Sequence, residues 1–348
     1  MALNNYYDIA DLTTSILFDD KKDGIVNIDS TLLRGYPAVD KCMRGSVYRQ
    51  QDGKDHRWPV NVEMGSEAVS FGPFAILDRP RGDSIKQASM QLRGTTRSFS
   101  FDILEEVFNR GKASIINHVK VQENNAKIRM IQRKEELFWS NAAYANREVD
   151  AQGILYWLPY CASEGFVGTY PTSYTDVAGI DPGTYEGWKS YGNVYVDPSP
   201  DDLILKTRTA LSKTKFVPPK DANEMDNLDS GYSFGMYANL DTVLALEDEA
   251  KNQNDNAGTD LDYYHNKVMI RKIPITEVPT LDSNARDPLI GINWGYTKNH
   301  TLEGWWFKRK LAPAKSDQPL VVTYDFFSLH QLICYNRREG GFNIAKAA

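Results

Sequence analysis

The chain has little cysteine. Cys42, Cys161 and Cys334 are the only three in 348 residues, far apart and in no CxxC or Cys/His spacing; this gives neither a disulfide framework nor a zinc pattern and fits a reducing interior. No stretch approaches the roughly 18 apolar residues of a membrane span. The opening MALNNYYDIADL lacks the basic and apolar regions of a secretory leader. The expectation is a protein made and kept in a cytosol without a membrane, where the Asn299-His300-Thr301 sequon goes unused. Histidine is sparse as well: His56, His118, His265, His300 and His330 form no HxxxH or HExxH. No GxGxxG occurs, and Gly111-Lys112 lacks the upstream glycine of a phosphate loop. There is no internal repeat, no low-complexity tract and no polybasic tail. With 40 basic against 46 acidic residues and a net charge of −6, the chain does not read as a generic nucleic-acid or anionic-membrane binder.

What is present is a globular composition, 41% hydrophobic and 25% charged, able to bury a core. At roughly 150 residues per domain the length gives about two domains. The acid is local: residues 221–262 hold eleven acidic residues and one lysine, leaving the remainder at +4. Such a stretch is either a solvated face or a docking or repulsive surface.

Residues 1–56 read as an extended arm with a short helix near 37–44. Residues 57–63 place Trp58, Val60 and Val62 on one side, and 88–101 show extended spacing, so both read as strands of a long excursion. Between them, Phe71, Phe74, Ile76 and Leu77 lie in a Gly- and Pro-containing loop of a length that usually signals binding. From 112 to about 139, Ile116, Val119, Ala126, Met130 and Leu137 recur at helical spacing, with Glu123 and Arg133 inside the stripe. The implied rod is roughly 40 Å long. Residues 140–198 read as packed loops and short strands. Ser199-Pro200-Asp201-Asp202 combines a cap, an early proline and early acids, so a helix is expected from there to Lys215. A strand at 232–237, a helix from Asn239 to about Lys251, and strands at 267–278, 288–296, 300–307 and 319–335 follow.

Catalytic motifs are weak. Gly231-Tyr232-Ser233-Phe234-Gly235 matches the nucleophile elbow G-x-S-x-G, but DANEMDNLDS precedes it where an apolar strand is needed. Ser212–Lys215 matches S-x-x-K without companion motifs, and Asn252, Asn254, Asn256 and Gly258 miss the spacing of a calcium loop. No metal, cofactor or catalytic constellation is expected.

The run SFSFDILEEVFNRGKASIINHV, then KVMIRKIPITEVPTLD, DPLIGINWGY and NRRE, together with the order of elements, resembles the tailed-bacteriophage major capsid proteins of the Hong Kong 97 type, the Johnson fold. The resemblance is best over 57–338. It implies an α+β fold with an N-terminal arm (1–56), an extended loop (57–100, tip about 64–86), a peripheral domain with the spine helix (101–149 and 266–310) and an axial domain with returning strands (150–265 and 311–348). It implies no enzymatic activity and no cofactor, but self-assembly as hexamers and pentamers into an icosahedral shell around packaged double-stranded DNA, held without sequence-specific binding. The partners implied are other copies, a portal protein, and scaffolding and decoration proteins; the location is the virion, after assembly in the host cytoplasm. Expected inter-subunit contacts are Arg57, Trp58, Phe71, Phe74, Ile76, Leu77, Arg79, Arg81 and Arg93. Apolar side chains would anchor in a neighbour and arginines would meet carboxylates, those of the 221–262 surface of another subunit among them. Relatives that crosslink do so through Lys-Asn bonds; Lys54 and Lys86 flank the excursion, but no acceptor pattern is visible. An encapsulin-type nanocompartment is the neighbouring reading, and a serine hydrolase using Ser233 the reading from another class.

Overall fold

The computed structural model describes residues 36–39, 47–51, 53–63, 70, 84–103, 112–141, 143–215, 234–254, 268–271, 273–313 and 320–347. In chain order, strands β1 (Val47–Gln50), β2 (Asp55–Asn61), β3 (Ile85–Gln91) and β4 (Arg93–Asp102) precede helix α1 (Lys112–Phe138). The short α2 (Ile154–Trp157), β5 (Gly165–Val167), β6 (Ser190–Tyr195), α3 (Leu205–Lys215), β7 (Phe234–Ala238) and α4 (Leu240–Asn254) come next. The chain ends through β8 (Met269–Ile270), β9 (Ile273–Glu277), β10 (Leu289–Asn293), β11 (Thr297–Leu302), β12 (Lys308–Leu311), β13 (Val321–Cys334) and β14 (Gly341–Lys346).

Five strands form a sheet organised by β13. Tyr324–Phe327 pair with β12 on one side and with β4 on the other, and farther along β13 pairs with β11, which in turn pairs with β1. Cross-strand register puts Tyr324 opposite Phe99 and Phe326 opposite Arg97. The rings of Phe99 and Tyr324 stack at 5.5 Å. That aromatic face packs on Ala126 and Met130 of α1, because a helix with an apolar stripe must bury it against a sheet.

Not all of the α1 stripe is apolar, and its buried charges are answered locally. Glu123 and Lys127 pair at 2.8 Å one turn apart, with Arg309 at 3.8 Å from the same carboxylate. Lys134 donates to Ser328 Oγ at 2.6 Å and lies 3.4 Å over the Trp306 ring. Glu135 accepts from the Val39 amide at 2.9 Å, from Ala38 at 3.4 Å and from Trp139 Nε1 at 2.6 Å. It thereby clamps the arm turn 37–39 to the helix. Burial pushes the Glu135 carboxyl upward, against the pull of these three donors. Arg133, expected inside the stripe, points to solvent.

A second sheet holds seven strands in the order β5-β6-β14-β10-β7-β9-β8. All five residues of β10 are buried, as a central strand covered on both faces requires. Leu211 of α3, Leu246 of α4 and Met236, Phe342 and Ile344 of the sheet share one core. The largest core lies between the two sheets and gathers Trp58, Trp157, Trp188, Ile290, Ile292 and Leu332. The chain passes between the sheets three times, through α1 and the segment leading to β5, at 294–296 and at 335–340, and the last two crossings bond to each other through Tyr335 N and Tyr296 O at 3.0 Å.

Pairing corrects three expectations. Strands β8, β9 and β10, expected beside the spine helix, lie in the seven-stranded sheet, and β13, expected in the other domain, lies in the five-stranded one. Residues 93–100, expected in the extended loop, form β4 and pair along β13. Alternation along a strand announces a strand but not its partner. At the expected helix start, Ser199 makes no side-chain cap bond. Instead its carbonyl accepts from the Ile204 amide at 3.2 Å in a wide turn, and Asp202 caps backward onto Val196 and Asp197 at 2.6 and 3.1 Å. The α-helix proper begins at Leu205.

Candidate assembly surfaces

The excursion is rooted by an antiparallel ladder in which Arg57 faces Ser89, Trp58 faces Ala88 and Asn61 faces Ile85. Period-2 alternation divides it cleanly. Trp58, Val60, Val62 and Ala88 point into the interior, while Arg57, Pro59, Asn61, Ile85, Gln87 and Ser89 form an exposed outer face. Ile85 is 62% exposed there, an apolar side chain without cover in the single chain.

The root is tied to both sheets. Val62 O accepts from the Gly187 amide at 3.1 Å, and Ser89 N donates to Ala178 O at 3.0 Å. Any side chain at 187 would bring its Cβ to 2.6 Å from Val62 O, so glycine is required by the approach of the two backbones. On the other side the Trp58 ring packs edge-on to Tyr335 at 5.7 Å and tilts against Trp157 at 6.3 Å. His56 stands 4.2 Å from the His300 ring, and Tyr335 Oη and His300 Nε2 are 2.9 Å apart. Burial, with the nearby His56 and Lys298 charges, holds His300 down at about 3. The junction is therefore neutral at ordinary pH.

The nine expected contact residues separate. Arg57 is on the exposed face, 3.6 Å from Asp55. Trp58 is a correction: at 6% exposure it is an internal residue holding the excursion's root, because an inward strand position beside Trp157 and Tyr335 leaves its ring no route to a neighbour. Arg93 is not on the hairpin; it opens β4 and donates to Gln91 Oε1 at 2.8 Å. Phe71, Phe74, Ile76, Leu77, Arg79, Arg81 and Ser233 lie outside the described residues. Lys54 sits at the base of the ladder, bonded through its carbonyl to the Leu92 amide, and Lys86, opposite Val60, lies near its far end with Nζ 5.8 Å from the Tyr185 ring. Within 221–262 the described portion places Asp241 and Asp248 on the exposed side of α4, whose Val243 and Leu246 are buried.

Arg337, within the NRRE motif, proves to be the buried group that knits the second body together. It is 0% exposed and donates to Trp157 O at 2.7 Å, Trp188 O at 3.0 Å, Thr169 O at 3.2 Å and Ser190 Oγ at 3.2 Å. Burial lowers it to about 10, which leaves it charged. No sequence signal separates it from its exposed neighbour Arg338, since only the folded loops supply four acceptors in the fork geometry of a guanidinium. Among the described residues no cluster of three or more His, Cys, Asp or Glu side chains could hold a metal.

Similar folds occur among solved shells. The capsid subunit of cyanophage A-1(L) superposes with a TM-score of 0.67 at 14% identity, over 89% of this chain and 92% of that one. A subunit from the capsid of a native GTA particle gives 0.53 at 11% identity, covering 88% and 90%. The SrpI encapsulin complex of Synechococcus elongatus gives 0.52 at 10% identity, covering 87% and 85%. No family model and no curated protein matches the sequence. The chain has the α+β fold of phage capsid proteins of the Hong Kong 97 type, shared by encapsulin shells.

Proposed function

We propose that the chain is the major capsid protein of a tailed phage. Copies associate as hexamers and pentamers and close an icosahedral shell around packaged double-stranded DNA, with a portal protein at one vertex and scaffolding or decoration proteins as further partners. Its role is structural and its place is the virion, after assembly in the host cytoplasm. The observation that carries this reading is a fold match over nearly the full length of both chains to a cyanophage capsid subunit. The higher TM-score against that capsid than against the encapsulin, 0.67 against 0.52, favours the phage shell. The excursion fits the role: its root is fixed in the core while its outer face is uncovered. In this reading Phe71, Phe74, Ile76 and Leu77 anchor in a neighbour, and Arg79 and Arg81 meet carboxylates of its 221–262 surface.

Size-exclusion chromatography with negative-stain imaging tests the assembly. Megadalton spherical particles are expected, and a stable monomer would overturn the proposal. Particles recovered from infected cells should contain double-stranded DNA; particles filled with protein cargo would make the chain an encapsulin. Reversing Arg79 and Arg81 together to Glu should abolish shells, and normal yields of intact shells would remove the charge contact.

A further inference from the structure

Strand β4 is an edge. Its inner side pairs with β13, and among the described residues nothing pairs with its outer side, leaving a row of backbone donors and acceptors able to take another strand. Beside this edge runs a groove of about 580 Å³ between β4 and α1, lined by Arg97, Ser100, Gln122, Asn125, Arg129 and Gln132. It holds two cations and no carboxylate. Arg129 Nη1 donates to Gln132 Oε1 at 3.1 Å, and among the described residues neither Arg129 nor Arg97 has an ion pair.

A complementary segment exists in the same chain. Residues 1–35 hold six aspartates against Lys21, Lys22 and Arg34. Within them Ile25-Val26-Asn27-Ile28-Asp29-Ser30 is rich in β-branched residues, preceded by Gly24, and alternates so that Asn27 and Asp29 share one face. The segment is tethered at the right place, because Glu135 fixes residues 38 and 39 on α1. Arg129 is about 9 Å from Glu135 along the helix axis. Crossing the helix's exposed side to the groove makes a path of under about 20 Å, which the six Cα steps from Ser30 to Tyr36 span when extended.

We propose that residues 25–30 of the chain's own arm add to the outer edge of β4 as a sixth strand, with Asp29 and Asn27 facing Arg97 and Arg129 in the groove. The surface is then an intramolecular dock that sets where the arm leaves the body. This goes beyond the capsid reading and does not depend on it, since it can be read in unassembled subunits and in shells alike.

Disulfide trapping tests it in the full chain. Ile28→Cys is combined in turn with Thr96→Cys, Ser98→Cys and Ser100→Cys, which alternate with Arg97 and Phe99 and so share the other face of β4. Oxidation should close one of the three pairs within a single chain, seen as a faster monomer band on a non-reducing gel, since bridging needs Cα atoms within about 7 Å. Disulfide-linked dimers would assign the edge to another copy's arm and overturn the proposal, as would failure of all three pairs to close. Independently, Asp29→Lys should speed hydrogen exchange at the β4 amides that do not bond β13 by about tenfold or more. The charge swap Asp29→Arg with Arg97→Asp should restore protection. Exchange unchanged by Asp29→Lys would overturn the proposal.

Discussion

Replacing Arg337 by methionine keeps most of the side-chain volume and removes every hydrogen bond the guanidinium makes. Three carbonyls, of Trp157, Trp188 and Thr169, and the Ser190 hydroxyl lose their donor in an interior closed to water. Bonds from a charged donor contribute roughly 1.5–3 kcal/mol each, so the gross loss is about 6–12 kcal/mol. Against this stands the charge's own desolvation: its fall from 12.5 to about 10 corresponds to on the order of 3 kcal/mol, returned when the charge is removed. A net destabilisation of about 3–9 kcal/mol remains, its lower part in the range found when one member of a buried polar set is deleted. Differential scanning of unassembled subunits should show it as a fall of about 10 °C or more in the apparent Tm. Arg337→Lys should fall between the two, since an ammonium is a point donor that cannot reach four acceptors in a plane. The reasoning is refuted if the methionine variant melts within about 2 °C of the parent, which would mean that the loops around 157, 169 and 188 find other donors without cost.

Three further outcomes follow from the same geometry. Glu135→Ala strips the acceptor from Ala38 N, Val39 N and Trp139 Nε1, costing about 3 kcal/mol; limited proteolysis should cut ahead of residue 40 much faster, and an unchanged cleavage rate would show that the arm turn is held otherwise. His300 titrates at about 3 when folded against 6.5 unfolded, so its contribution to stability is complete above pH 6.5 and is lost as pH falls from there toward 3, about 2 kcal/mol by pH 5. His330, also held well below its ordinary value by burial, adds in the same direction. Urea midpoints should therefore drop between pH 7 and 5, less steeply in His300→Gln, and a flat profile would contradict the neutral junction. Gly341 sits at φ +151 with a Cβ position only 2.1 Å from Gly291 O, so Gly341→Ala should part β14 from β10 and yield insoluble chain; soluble expression at the parental level would count against that register.

The sequence spoke most clearly where a period repeats. The stripe Ala126, Met130, Leu137 placed α1 within one residue of its observed end at Phe138, because a helix's contacts are local. Strand pairing was not legible, since β13 takes partners more than two hundred residues away in β4 and beside it in β11 and β12. The run 267–278 reads as one strand, yet Arg271 at φ +50 turns it back on itself between β8 and β9. At the excursion, alternation gave the inward set Trp58, Val60 and Val62, but not that Trp58 meets Trp157 and Tyr335 across the chain. Arg337 and Glu135 were invisible for the same reason: a charged residue is exposed by default, and only its assembled partners reverse that.

Two of the three crossings between the sheets, at 294–296 and 335–340, lie side by side and are bonded to each other, with Arg337 in one and buried Trp294 in the other. A double connection braced by a shared aromatic core does not bend as a hinge does. If the chain closes a shell as proposed, five-fold and six-fold positions demand different tilts between neighbours, and a body joined this way would answer them by turning as one lever.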